Sequence, residues 1–65
     1  RSPKAEIMRL QLERVKQLLR ETDFTLSRIA DLAGFRHAEY MSVIFKRKVG
    51  QTPGAYRKQF GRPSD

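Results

Sequence analysis

Apolar residues recur at helical spacing through the first third of the chain, from Lys4 to about Glu21. The apolar positions are Ile7, Met8, Leu10, Leu12, Val15, Leu18 and Leu19. At about 100° per residue they cover an arc of roughly 200°, which predicts a long amphipathic helix with Ser2 as its cap and Pro3 at its first position. Because this arc is wider than one small helix pair requires, we expect the helix to pack against a second body as well. A coiled coil of about two heptads is the alternative.

Three shorter segments follow, each bounded by residues that start or stop helices. Thr25 is suited to cap the segment LSRIADLA, and Gly34 stands where a left-handed C-cap is expected. The next helix is predicted over about 38–48, ending near Gly50, and Thr52-Pro53 begins a last helix over GAYRKQF. The predicted inward-facing residues are Leu26, Ile29, Ala30 and Ala33 in the first segment, Tyr40, Met41, Ile44 and Phe45 in the second, and Tyr56 and Phe60 in the third. No segment has the alternation of a strand.

The predicted fold is therefore all-α, a bundle of four helices with a tight helix-turn-helix at its centre. Ala30 supports the tight crossing, because a small inward residue one turn before Gly34 lets two helices approach closely. A generic helical cluster with an ordinary small core residue is the alternative. We divide the chain into a long helix at 1–23, a helix-turn-helix unit at 24–60 and a flexible tail at 61–65.

The charge balance points to an anionic partner. The 65 residues contain 14 Lys and Arg against 7 Asp and Glu, a net charge of +7 with a pI of about 10.6. Residues 24–65 hold eight of the basic and three of the acidic residues, so the excess is concentrated there. Nucleic acid is the first candidate partner, and an acidic membrane surface bound by residues 4–21 is a further alternative. No apolar run approaches the ~20 residues needed to span a bilayer.

Catalysis and metal binding find little support in the composition. The chain has no cysteine and a single histidine, His37, so we expect no metal site and no cofactor. Neither a pair of carboxylates in a predicted cleft nor a glycine-rich phosphate loop is present, and an enzyme is not expected. The lack of cysteine fits a reducing cytoplasm. The start RSPK, without methionine, suggests a fragment of a longer protein.

The predicted helix 38–48 carries a chemically varied outward face. Val43 is suited to meet the methyl group of a thymine, Glu39 to accept from cytosine N4, and Lys46 or Arg47 to donate to guanine or phosphate. Each has a simpler reading: Val43 as a stray exposed residue, Glu39 as a partner of Arg36 or a lysine, and the basic residues as solubilising charge.

A second set of residues is expected to bind the flanking phosphates. Thr25 would do so through the backbone amides at the start of its helix. The full set is Thr25, Arg28, Arg36, His37, Arg47, Lys48, Arg57 and Lys58.

Two segments, IADLAGF (29–35) and EYMSVIFKRKVGQTPGAYR (39–57), resemble the signature of the AraC/XylS family of bacterial transcription regulators. The matching residues are Ile29, Ala30, Gly34, Phe35, Tyr40, Ser42, Phe45, Lys46, Gly50, Thr52, Pro53, Tyr56 and Arg57. DNA-binding domains of this family hold two helix-turn-helix units joined by a long helix. The resemblance implies that residues 1–23 are this linker helix and 24–60 the C-terminal unit. The first unit and an effector domain would then belong to the rest of the parent protein.

The resemblance also implies which residues face bases, once helix 38–48 enters a major groove. These are Ala38, Glu39, Ser42, Val43 and Lys46. The chain departs from the family pattern in three places: Val43 stands where arginine is common, Met41 where phenylalanine is usual, and Arg36-His37 where an acidic cap is frequent. The GQTPGAYR segment is expected to be structural, holding the last helix on the core.

We therefore expect a bacterial, cytoplasmic transcription regulator, an activator or a repressor, that binds double-stranded operator DNA sequence-specifically. The alternative is a helical docking module for an acidic protein partner such as RNA polymerase, which members of the family also contact.

Overall fold

The computed structural model describes residues 3–61 and contains four α-helices in that range, with no strand. They are α1 (Pro3–Glu21), α2 (Leu26–Ala33), α3 (Ala38–Val49) and α4 (Pro53–Phe60). The all-α prediction is confirmed, and Pro3 is helical. The predicted cap Ser2 and residues 62–65 of the predicted tail lie outside the described residues.

The helix boundaries follow from local capping chemistry. The Thr25 hydroxyl accepts a hydrogen bond from the Arg28 amide at 3.2 Å, and the Thr52 hydroxyl accepts one from the Ala55 amide at 3.1 Å. Both bonds satisfy amides that have no partner within the first helical turn. At the other ends of α2 and α3, Gly34 and Gly50 adopt φ of 90° and 98°, a left-handed conformation that is strained for any residue with a Cβ.

The core lies between the four helices. α1 packs on α2 and α4, α2 packs on α3, and α3 packs on α4. The buried apolar side chains are Leu12, Val15, Leu18, Leu19, Ile29, Ala30, Ala33, Phe35, Met41, Phe45 and Tyr56. The ring of Phe45 meets that of Tyr56 edge-on at 5.5 Å, which joins α3 to α4 through an aromatic contact of favourable geometry. The predicted buried face of α2 is confirmed for Ile29, Ala30 and Ala33, while Leu26 is partly buried.

Two predicted core aromatics are exposed instead. Tyr40 is 52% exposed and Phe60 is 50% exposed. α3 turns Met41 and Phe45 fully inward, and Tyr40 lies about 100° around the helix from Met41, on the edge rather than the buried face. Phe60 is the last residue of α4, and its ring packs against the Tyr56 ring at 4.7 Å between centroids.

The N-terminal half of α1 exposes part of its apolar arc. Ile7 and Leu10 are both more than half exposed, whereas Leu12, Val15, Leu18 and Leu19 are buried. The four-helix core therefore uses only part of the arc, and packing of the remainder on a second body stays a prediction. Within residues 3–61, no helix is long and apolar enough to cross a membrane.

Candidate nucleic-acid interface

The turn between α2 and α3 is fixed to the core by hydrogen bonds and by a buried aromatic ring. The Phe35 amide donates to the Ala30 carbonyl at 2.8 Å, and the buried Phe35 ring anchors the turn from below. The side-chain amide of Gln11 donates to the Gly34 carbonyl at 3.3 Å, which ties the same turn to α1. These contacts fix the direction in which α3 leaves α2, as a helix-turn-helix requires.

α3 separates a buried side from an outward side. Met41 and Phe45 have no exposed surface, while Val43 is 60% exposed and Glu39 and Lys46 are also exposed. Glu39, Val43 and Lys46 follow one another at helical i, i+4, i+7 spacing, so they form one line along the helix. We name this line the reading row.

The other two predicted base-reading residues flank the reading row and are half-buried. Ala38 is at the first position of α3 and packs against the core, and Ser42 is on the edge of the outward side. The structure therefore brings the five predicted residues onto one helix, but three of them present far more surface than the other two.

Glu39 forms no ion pair among the described residues, so its predicted pairing with Arg36 or a lysine is absent there. It stands in the first turn of α3, where a carboxylate is favoured by the positive end of the helix dipole. Its oxygens are thus available to accept from a base amino group while the helix end offsets part of the repulsion from phosphates.

Four predicted phosphate-binding residues surround the start of α2 and the turn. Thr25 caps α2, and the guanidinium of Arg28 lies 5.8 Å from the centre of the Phe24 ring, close enough for a cation–π contact. Arg36 and His37 are exposed in the turn. His37 occupies the N-cap position of α3 with extended backbone, but its side chain makes no capping hydrogen bond.

Arg47 and Lys58 are exposed cations at the far end of α3 and on α4. Lys48 is exposed as well. Together with Val49, it lines a cleft against Met8, Arg9 and Leu12 of α1, on the side of α3 turned away from Glu39.

The predicted phosphate ligand Arg57 is engaged inside the protein. Its guanidinium donates to three backbone carbonyls, those of Leu19 at 3.3 Å, Thr22 at 2.9 Å and Phe24 at 2.8 Å. These bonds bind α4 to the connection between α1 and α2. Arg57 therefore fits the structural role expected for the GQTPGAYR segment better than a role at a phosphate.

Sequence reasoning missed Tyr40 as a surface residue of α3. Its ring lies 6.1 Å from that of Phe35 and borders a cleft that Gln11, Arg36 and His37 also line. The sequence did contain a signal that Tyr40 is exposed. At about 100° per residue, Tyr40 lies about 140° around the helix from Phe45, so the two side chains cannot both point at the centre of one narrow buried face.

A tight helix-turn-helix, a second helix with a varied polar outward side and a basic surround together define a DNA-binding domain of the helix-turn-helix class. The family model described as "Helix-turn-helix domain" matches residues 1–59. The chain belongs to this family, in its AraC/XylS branch, as the signature residues in 29–57 predicted.

Relatives of the chain are transcription activators. It is 36% identical over 55 residues to the HTH-type transcriptional activator RhaR of Cronobacter sakazakii, covering 85% of this chain and 19% of RhaR. It is 32% identical over 59 residues to the transcriptional activator NphR of a Rhodococcus species, covering 91% of this chain and 18% of NphR.

A solved structure, that of the xylose-binding transcription activator XylR, superposes with a TM-score of 0.88 at 26% identity, covering 95% of this chain and 16% of that one. The chain thus spans less than a fifth of the length of each of these relatives.

Proposed function

We propose that this chain is a sequence-specific double-stranded DNA-binding module of a transcription regulator, with α3 inserted in the major groove. The observation that supports this most is the reading row. An α-helix fits the major groove, where each base pair shows a distinct pattern of donors, acceptors and methyl groups. Glu39, Val43 and Lys46 offer an acceptor, an apolar surface and a donor on a single line.

In this proposal the flanking cations hold the duplex. Arg28, Arg36 and Arg47 are exposed at positions around α3 from which long side chains reach neighbouring phosphates, and His37 lies beside Arg36. The amides at the start of α2, behind Thr25, offer a further phosphate contact. Such contacts release counterions, so binding should weaken steeply as salt rises.

We further infer that residues 1–23 form the linker helix and 24–60 the C-terminal unit of a two-unit reading domain. The exposed Ile7 and Leu10 support this, since a first unit packed there would cover them. An effector domain would belong to the remaining length of the parent protein. With one unit alone, the chain should bind its half-site weakly, because half of the groove contacts are lacking.

Selection of duplexes from a random library by this chain, followed by competition at equal salt, tests the proposal. The enriched duplex should compete at least tenfold better than random duplex, because two correct base contacts together contribute more than about 1.4 kcal/mol. Equal competition would refute sequence-specific reading.

The double substitution of Ser42→Ala with Lys46→Ala separates groove reading from protein docking. Groove reading predicts that the preference for the enriched duplex is lost, while an Arg9→Ala variant on α1 retains it. Unchanged DNA preference in the double variant would favour the alternative, a surface that docks an acidic protein such as RNA polymerase.

A further inference from the structure

Tyr40 and Val43 form an exposed apolar pair on α3. Tyr40 is 52% exposed and Val43 is 60% exposed. Side chains three residues apart on a helix are neighbours, with Cβ atoms about 5–6 Å apart, so the two present one continuous apolar surface. This surface stands among the exposed charges of Glu39, Lys46 and Arg47.

Val43 points away from the core, and Tyr40 lies between the outward side of α3 and the cleft that Gln11 and His37 also line. With the core direction taken midway between Met41 and Phe45, Val43 points directly outward at about 100° per residue. Tyr40 lies roughly 60° from Val43, and Ser42 lies roughly 100° from it on the opposite edge. Tyr40 is therefore closer to the outward direction than Ser42, which the family pattern places among the base-facing positions, and its side chain is much longer.

The Tyr40 ring already has a packing partner within the protein before any ligand arrives. It is tilted by 57° against the ring of Phe35, at 6.1 Å between centroids, and Phe35 is itself buried. A side chain with two torsions and a fixed neighbour loses little conformational entropy when it is covered. Tyr40 is thus suited to act as a rigid contact.

We propose that Tyr40 acts with Val43 as a specificity-determining pair that recognises the 5-methyl groups of thymines. This inference rests on the proposed insertion of α3 in the major groove. In the major groove the thymine methyl is the apolar group that base edges present. An apolar pair can contact this methyl but forms no hydrogen bond with the donors and acceptors of guanine or cytosine. The two residues are separated by about 4.5 Å along the helix axis, comparable with the ~3.4 Å rise between base pairs, so they match thymines at neighbouring steps.

Uracil substitution tests the pair without altering the protein. The duplex enriched by the chain is prepared again with uracil in place of every thymine, which removes the methyl groups and leaves the hydrogen-bonding edges unchanged. The unmodified chain should bind the uracil duplex about fourfold more weakly for each contacted methyl, the effect of one buried CH₂-sized group.

Variants assign the effect to the two residues. The double substitution of Tyr40→Ala with Val43→Ala should bind the two duplexes equally, and each single variant should lose part of the discrimination. Tyr40→Phe should retain it, because the ring carbons make the contact. Phe60→Ala is the matched control, since it removes an aromatic ring of similar exposure from the end of α4 and should leave the discrimination unchanged.

Three outcomes would overturn the proposal that Tyr40 and Val43 recognise thymine methyls. They are equal binding of the thymine and uracil duplexes by the unmodified chain, an enriched site without thymine, and undiminished discrimination between the two duplexes in the double variant. A Tyr40→Phe variant that weakens binding equally on both duplexes would assign the tyrosine hydroxyl to a phosphate instead. Failure of the chain to enrich any duplex would refute the proposed function itself, a result distinct from enrichment without sensitivity to uracil.

Discussion

The guanidinium of Arg57 donates to the backbone carbonyl of Thr22 at 2.9 Å, across 35 positions of the chain. The same group also binds the carbonyls of Leu19 and Phe24, so one side chain of α4 satisfies three carbonyls where α1 ends and α2 approaches. The planar guanidinium can serve three acceptors in different directions because its five N–H groups are fixed in a fork. Arg57 is thus the main polar connection between the last helix and the first turn of the bundle.

Replacing Arg57 with lysine should destabilise the fold although the charge is retained. A lysine ammonium is a compact donor on a flexible stem and cannot reach three divergent carbonyls, so about two hydrogen bonds to a charged group are lost. We expect the free energy of unfolding to fall by about 3–6 kcal/mol, at about 1.5–3 kcal/mol for each lost bond, measured by urea denaturation followed by circular dichroism. Lys58→Ala, at an exposed neighbour, should change it by less than about 0.5 kcal/mol. An Arg57→Lys variant as stable as the parent would show that the three bonds do not stabilise the fold.

Two glycines should respond to alanine in opposite directions. Gly50 has φ of 98° with open space around its missing Cβ, so Gly50→Ala incurs only the conformational strain, about 1–2 kcal/mol of destabilisation. Gly54 lies within α4 without a positive φ and also has open space, so Gly54→Ala should stabilise by about 0.5–1 kcal/mol. Thermal unfolding of both variants beside the parent measures the signs. Shifts of the same sign would contradict the account of helix ends given by these φ values.

The helices could be predicted from the sequence because their signals are local. Thr25, Gly34, Gly50 and Thr52 act on amides and carbonyls within a few residues of themselves, and the structure places each as its pattern predicted. Met41 and Phe45 were also placed correctly, since large apolar residues four apart define a buried face without knowledge of the partner helix.

The misplaced residues depend on contacts that a one-dimensional pattern does not contain. Tyr40 is on the edge of α3, and whether an edge residue is covered depends on how closely α1 approaches, which spacing alone does not determine. Arg57 is charged and near the end of the chain, so it was expected at the surface, but its partners are carbonyls more than 30 positions away.

The uncapped start of α3 offers a test that separates stability from DNA binding. His37 has the extended backbone of an N-cap but supplies no side-chain acceptor. His37→Asn and His37→Asp should both stabilise the fold by about 0.5–1 kcal/mol, because either side chain can accept from a first-turn amide. Chemical denaturation measures this gain.

DNA binding should separate the two His37 variants. Aspartate adds a negative charge beside the proposed phosphate contacts and should weaken binding about fivefold, the effect of one like-charge contact near 4 Å in water. Asparagine is neutral and should leave the affinity nearly unchanged. Fluorescence anisotropy with one labelled duplex compares them at equal salt. If aspartate and asparagine bound equally, residue 37 would lie away from the phosphates.

The placement of the three consecutive cations of α3 predicts which of them contribute to the salt dependence of binding. Lys46 is in the reading row and Arg47 is exposed beside it, whereas Lys48 lines the cleft against α1. Each cation at a phosphate releases condensed counterions and contributes about 0.9 to the slope of the logarithm of the binding constant against the logarithm of the salt concentration. Arg47→Ala should therefore reduce the slope by about 0.9, and Lys46→Ala should do so only to the extent that its ammonium contacts a phosphate rather than a base. Lys48→Ala removes the same charge from the same helix and should leave the slope unchanged.

Titrations of random duplex across a range of salt concentrations measure all three slopes. Equal reductions in the three variants would mean that net charge, rather than the orientation of α3, governs binding.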